Sequence, residues 1–298
     1  QPHFNYIGNK KMNNLLTATM VATLSTTVFA GASITGKYEG TFTENSGTGS
    51  SYAQDLDLTL KGNVAEGTNV TATFENLTGG STVTSTQVFI ETQIEGLNFK
   101  GGNYKSQNGA GLMQKKSAVT NQFELGTDVA GFGVSVAQTS GDGNATADVI
   151  GSIAGVDVTI QDITNSTRYI SASTNIAGLD IAVETQETAT GTTNTGASIA
   201  TTIAGMTVTG VVIDVEDTTG ITQDDGILGD ISDASNGETV KGVVASTDTV
   251  LGTVTGKYID KNDATTYVGK LQRGVMEYGY TKTEDTDGVF DAVLSVSF

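Results

Sequence analysis

Six segments of this chain place a glycine-centred turn directly in front of residues that alternate between apolar and polar. They are Ile94-Glu95-Gly96-Leu97-Asn98-Phe99, Val129-Ala130-Gly131-Phe132-Gly133-Val134, Ile153-Ala154-Gly155-Val156-Asp157-Val158, Ile176-Ala177-Gly178-Leu179-Asp180-Ile181, Ile203-Ala204-Gly205-Met206-Thr207-Val208 and the looser Val250-Leu251-Gly252-Thr253-Val254. The turns at Gly131, Gly155, Gly178 and Gly205 lie 24, 23 and 27 residues apart. A unit of that length holds two strands of roughly 9–10 residues, a tight turn and a short loop, which matches a tilted bilayer crossing by a β-strand.

Alternation with a period of two gives a strand two unlike faces. Leu179, Ile181 and Val183 fall on one side while Asp180, Ala182 and Glu184 fall on the other. Leu56, Leu58 and Leu60 are set in the same way against Asp55, Asp57 and Lys61. A helix would scatter these apolar residues around its surface. Counting by this rule gives about 18 strands, with 16 as the other count because the stretches 70–74 and 275–280 are weakly marked.

Composition sharpens the choice of architecture. Apolar residues make up 37% of the chain, with 38 Gly, 1 Pro and no Cys or Trp. So thin an apolar inventory suits either disorder or a β-architecture that buries one face and wets the other. Disorder predicts no periodicity, so the second reading holds. A meander this long exposes two edges unless it closes, and closure satisfies every backbone donor and acceptor, as lipid demands. The expected fold is therefore all-β, a transmembrane antiparallel up-and-down barrel of 16–18 strands. A β-solenoid or a sandwich array is the soluble alternative.

Lys10 and Lys11 precede a short apolar run that ends in Val28-Phe29-Ala30-Gly31-Ala32. That order predicts a secretory signal cleaved after Ala30 or Ala32. The expected layout is an N-terminal extension plus signal over 1–30 and a single barrel domain over 31–298. After removal of the two lysines the exported part carries 13 Lys+Arg against 33 Asp+Glu, which disfavours nucleic acid as a partner. His3 is the only histidine and lies ahead of the signal. Histidine-dependent catalysis, thiolate chemistry and His or Cys metal sites are thus not expected in the exported chain, and neither an enzymatic role nor a cofactor is predicted.

In the last nine residues Phe290, Ala292, Leu294, Val296 and Phe298 alternate with Asp291, Ser295 and Ser297. This resembles the C-terminal insertion signal of bacterial outer-membrane proteins. The stretch from Ala32 to Gly40 is similar to the opening strand of general Gram-negative porins. Leu97-Asn98-Phe99-Lys100-Gly101-Gly102-Asn103-Tyr104 is similar to the strand that leads into their pore-constricting third loop. The resemblance implies a diffusion channel in the outer membrane of a Gram-negative bacterium. It further implies insertion by the barrel-assembly machinery, contact with outer-membrane lipid and lipopolysaccharide, and a homotrimer. A surface β-protein with a structural or adhesive role and no open pore is the alternative.

Residues out of phase with the apolar rows are the expected pore lining: Lys37, Glu39, Asp55, Asp57, Lys61, Glu75, Glu91, Lys100, Glu124, Asp157, Asp180, Glu184, Lys257, Lys270, Glu277 and Asp291. Eleven of these sixteen are acidic, which predicts a weak preference for cations. Lys105, Lys115 and Lys116 are expected on the third long loop, 105–117, where an infolded loop would set them against acidic walls. If the loop stays out, they are ordinary solvated lysines. The longest loop, 217–237, carries Asp224, Asp225, Asp230 and Asp233. Their spacing does not match an EF-hand, and a solvated acidic loop is the simpler reading.

Overall fold

The computed structural model describes residues 32–45, 49–75, 77, 84–106, 112–113, 117–139, 145–163, 168–218, 227–228, 234–261 and 264–297. The expected signal, Lys115, Lys116, Phe298, Asp224, Asp225, Asp230 and Asp233 all lie outside these residues.

Among the described residues the regular structure is a single sheet. Its first six strands are β1 (Ala32–Asn45), β2 (Gly49–Ala65), β3 (Thr68–Glu75), β4 (Thr84–Ile94), β5 (Leu97–Ser106) and β6 (Ser117–Val129). The next six are β7 (Phe132–Thr139), β8 (Ala145–Ile153), β9 (Val156–Gln161), β10 (Arg168–Ile176), β11 (Leu179–Glu187) and β12 (Thr193–Ile203). The last six are β13 (Met206–Val215), β14 (Glu238–Thr249), β15 (Gly252–Lys261), β16 (Ala264–Arg273), β17 (Met276–Thr283) and β18 (Val289–Ser297). Each strand pairs antiparallel with its sequence neighbour, and β1 pairs with β18, so the 18-stranded sheet closes on itself. The weakly marked stretches are real strands, β3 and β17, and the count is 18.

The two ends of the ring differ. At one end hairpins are joined by two-residue turns in which both residues have positive φ: Glu95-Gly96, Ala130-Gly131, Ala154-Gly155, Ala177-Gly178 and Ala204-Gly205. That is the type I′ geometry whose twist matches paired strands. Glycine adopts it freely, whereas the four alanines sit at φ between 51° and 53°, a region L-residues disfavour. A threonine from the next hairpin secures most of these turns. Thr127 Oγ1 donates to the Gly96 carbonyl at 3.2 Å, Thr174 to Gly155 at 2.9 Å, Thr201 to Gly178 at 3.3 Å and Thr247 to Gly205 at 3.3 Å. The Gly131 turn is flanked differently. The residue in register there is Gly151, and the Phe132 ring lies where its side chain would be, 2.3 Å from an ideal Cβ.

The outer surface carries the apolar rows. Ile94, Val129, Ile153, Ile176 and Ile203 flank the turns and are exposed. Toward the opposite, long-loop end the outer face of β15–β18, β1 and β2 is aromatic, with Phe42, Tyr52, Tyr258, Tyr267, Tyr280 and Phe290. Tyr258 and Tyr267 meet edge to face at 5.7 Å, and the Tyr38 and Tyr52 hydroxyls lie 3.0 Å apart. Aromatic rings with polar tips suit a membrane interface, so Tyr and Phe occupy the positions that Trp would otherwise fill. Phe290, Ala292, Leu294 and Val296 of β18 share this outer face, in phase with Tyr38 and Phe42 of β1.

Candidate functional site

The register assigns the charged residues to one face. Lys37 stands opposite Asp57 and Glu39 opposite Asp55 across β1 and β2. Glu91 faces Lys100, which faces Glu124, across β4, β5 and β6. Asp157 aligns with Ser173, and Glu184 with Ser171 on one side and Gly196 on the other. Lys257, Lys270, Glu277 and Asp291 fall in the same phase on β15 to β18. That face is the interior, because Leu112, between β5 and β6, touches Glu184 and Gly196 on β11 and β12. A contact across so many strands of a closed ring can only run through its inside.

Glu75 ends β3 just past the point where the β3–β4 register shifts, while β3 keeps its phase against β2 through Phe74. Lys105, expected on a loop, is instead part of β5, opposite Ala118. Asp128 and Asp148, which the sequence reading left out, share the inner face with Glu124.

On the charged side of the interior the groups are paired and reachable by solvent. Lys270 Nζ lies 2.7 Å from Glu277, and Lys37 Nζ 2.7 Å from Glu39. The Asp291 carboxylate lies over Gly279, in the space a Cβ there would take. Lys100 lies 3.3 Å from Glu91 and over two rings, 4.8 Å from the Phe89 centroid and 4.3 Å from that of Tyr104. Tyr104 in turn donates to Glu124 at 3.0 Å. A recess of about 460 Å³ opens beside this group, lined by Glu91, Lys100, Glu124, Asp128, Asp148 and Ile150.

Opposite, the inner wall is not polar throughout, which corrects the expectation of one wet face. Val211, Ile213 and Val215 of β13 and Val240 of β14 point inward and are buried beneath Leu112 and Met113 from one loop and Leu228 and Ala234 from another. Two inward glycines make room. An ideal Cβ on Gly242 would meet Leu228 at 2.4 Å, and one on Gly196 would meet Leu112 at 3.4 Å. Thus Leu112 and Met113, from the β5–β6 connection, and Leu228 and Ala234, from the β13–β14 connection, lie inside the ring.

Polar groups fasten the same loops. Leu112 N–H donates to Glu184 Oε2 at 3.0 Å, and Glu184 is 0% exposed, so it does not line open water. Asn194 is the anchor of the second loop. Its Oδ1 accepts from the Glu216 and Asp217 N–H groups at 2.8 and 2.9 Å, while its Nδ2 donates to the Asp217 carbonyl and to Gln186. Gln186 donates onward to the Tyr169 hydroxyl at 3.0 Å. Unpaired polar groups in such a place would be costly, and this set is joined end to end. No single residue of it stood out in the sequence. The signal available was adjacent apolar residues, Val211-Val212-Ile213 and Val243-Val244, which mark strands covered on both faces.

The class of fold is thus a closed, 18-stranded antiparallel barrel with an apolar exterior. Solved porin structures are similar to it in fold. Pseudomonas aeruginosa OccK10 (OpdN) aligns with a TM-score of 0.63 and 12% identity over 90% of this chain and 99% of that one. Pseudomonas aeruginosa OccK2 (OpdF) aligns at 0.59 and 13% over 90% and 97%. A BenF-like porin from Pseudomonas fluorescens aligns at 0.58 and 10% over 91% and 99%. No family model matches the chain, and no curated protein matches it in sequence.

Proposed function

We propose that this protein is a porin of the Gram-negative outer membrane, a water-filled channel for passive diffusion of small hydrophilic solutes and ions. The observation that carries the reading is a closed ring of 18 strands whose outer face is apolar and whose inner face bears solvated charges. Barrels of this strand number are wide enough to leave an aqueous lumen. The similarity in fold to OccK10, OccK2 and the BenF-like porin supports the same reading.

Acidic groups outnumber lysines on the inner face, so the channel passes cations in preference to anions, though weakly, because Lys37, Lys61, Lys100, Lys257 and Lys270 offset part of the wall charge. Residues 1–30 act as extension and cleaved signal, and β18 with Phe298 is the segment recognised for insertion. The barrels assemble as trimers among lipid and lipopolysaccharide. Purified protein reconstituted in a planar bilayer tests the central claim. Discrete conductance steps and a reversal potential of cation-selective sign in a KCl gradient are expected. A folded barrel that gives no steps would favour a plugged surface protein instead.

A further inference from the structure

We propose that, in the long-loop half of the barrel, water and solutes pass along one side only, the wall of β15–β18, β1 and β2. On that wall Glu39 and Asp291, together with Lys37 and Lys257, set which ions pass, while Glu184 serves as a positioning residue for Leu112. The proposal rests on the channel reading above and adds where in the lumen the path runs.

Burial divides the interior. From β9 to β14 the inward side chains of the long-loop half form an unbroken covered patch: Gln161, Tyr169, Ser171, Glu184, Gln186 and Asn194, then Val211, Ile213, Val215 and Val240. In its polar part Gln186 bonds Tyr169, Asn194 bonds Gln186 and Asp217, and Glu184 accepts from Leu112, and its apolar part lies beneath Leu112, Met113, Leu228 and Ala234. Burying those side chains together removes the space a hydrated ion needs. The fill stops at mid-height. Below it a recess of about 520 Å³ is lined by Asp157, Ser173, Asn175, Asp180, Ser198 and Thr209, with Ile227 over it. The lumen is therefore open beneath these strands at the turn end and filled above them.

The opposite wall keeps its charges in reach of water. The side chains of Lys37 and Glu39 are 51% and 39% exposed. Lys257 stands midway along β15 and Asp291 on β18, both in the inward phase, whereas the Lys270–Glu277 pair lies lower, at the turn end of β16 and β17. A path pressed to this side brings an ion close to Lys37, Glu39, Lys257 and Asp291, and low-dielectric walls focus their field there. Glu184, with its carboxylate turned to the Leu112 amide, has no such view of the path.

The chain contains no cysteine, so a single introduced thiol reports without background. Variant Thr41→Cys places it on the open wall, Thr255→Cys lower on the same wall near the turn end, Ser171→Cys in the covered patch and Ser173→Cys beside the recess. With a charged, water-soluble thiosulfonate and mass readout, Ser171→Cys should react at least about tenfold more slowly than the other three, since thiol reactivity follows access. Equal rates at Ser171→Cys and Thr41→Cys would overturn the one-sided path. In bilayers, Glu39→Gln with Asp291→Asn should lower the cation-to-anion permeability ratio, and Glu184→Gln should leave it unchanged. An equal shift in both would sink the assignment of roles. Labelling needs no current, so a barrel with the labelling contrast but no conductance would remove the channel reading and leave the one-sided water path standing. Uniform labelling with normal conductance would do the reverse.

Discussion

Leu112 and Glu184 are joined by a 3.0 Å hydrogen bond from the backbone amide of one to the carboxylate of the other, across the interior of the ring and 72 residues along the chain. A bond to a charged acceptor contributes about 1.5–3 kcal/mol. The apolar seat of Leu112 and Met113 on Val211, Ile213 and Val215 adds to it. Replacing Glu184 with Ala should therefore raise the population of detached loop on the order of ten- to hundred-fold. The expected readout is a noisier channel with higher mean conductance and an unchanged barrel by circular dichroism. Unaltered open-channel noise would show that the apolar seat alone holds the loop.

Asn194 makes the parallel case for the second loop. Its amide satisfies two backbone N–H groups and one carbonyl at the start of the β13–β14 connection. Asn194→Leu keeps the volume and removes all of these partners, leaving buried donors unmet at about 1–3 kcal/mol each. Limited proteolysis between 218 and 234 should become faster in this variant and stay slow in Asn194→Asp, which retains the acceptor. Equal proteolysis of variant and parent would mean that the anchor lies elsewhere.

How much of this was legible beforehand depends on which constraint each residue answers to. The hairpin turns, the outward rows and the inward phase of residues such as Lys37, Glu91 and Asp291 follow from a period of two and from turn chemistry, both local properties. The seating of Leu112 and Leu228 inside the ring is not local. Whether Glu184 faces water or Leu112 depends on a segment 72 residues away, and nothing in the alternation around Glu184 differs from that around Asp180.

The two faces differ enough to be separated by one pair of substitutions on adjacent residues. Ile199 of β12 points outward and is exposed, whereas Ser198 points inward. An arginine on the lipid face of a barrel costs about 2–4 kcal/mol near the midplane. Ile199→Arg should lower the unfolding free energy by that order in urea titrations of vesicle-folded protein, and Ser198→Arg should change it by well under half as much. Equal effects would contradict the assignment of faces.

Outside the strands, Asp162 gives a pH signature. Its carboxyl is pushed up to about 6, first by burial and then by the neighbouring Asp148 carboxylate, to which the Asp162 N–H donates at 2.9 Å. With the folded value above the ordinary one near 4, the fold prefers the protonated form, so stability falls as pH rises from about 4 through about 6 and levels off above. Asp162→Asn should remove that dependence: equal to the parent at pH 3 and more stable at pH 8. Asparagine also tolerates the positive φ of 56° at this position, so the backbone need not move. Parallel pH profiles of variant and parent would count against the burial of this carboxyl.

The alanines of the type I′ turns carry the last prediction. Ala130, Ala154, Ala177 and Ala204 each hold a φ just above 50° at the first turn position, where asparagine and glycine are at ease and alanine is not. The penalty for a residue with a Cβ is about 1 kcal/mol, and these side chains sit at turn tips with nothing to gain from packing. Ala177→Asn should therefore stabilise the barrel by about that amount, and Ala154→Asn together with Ala204→Asn should add nearly independently because the turns are separate. Glycine at the same sites should give less, since its unfolded state loses more freedom on folding. The measurement is the urea midpoint of folding into vesicles. A lower midpoint for all three asparagine variants would mean that alanine is favoured there by contact with the membrane surface, which the free turn geometry does not anticipate.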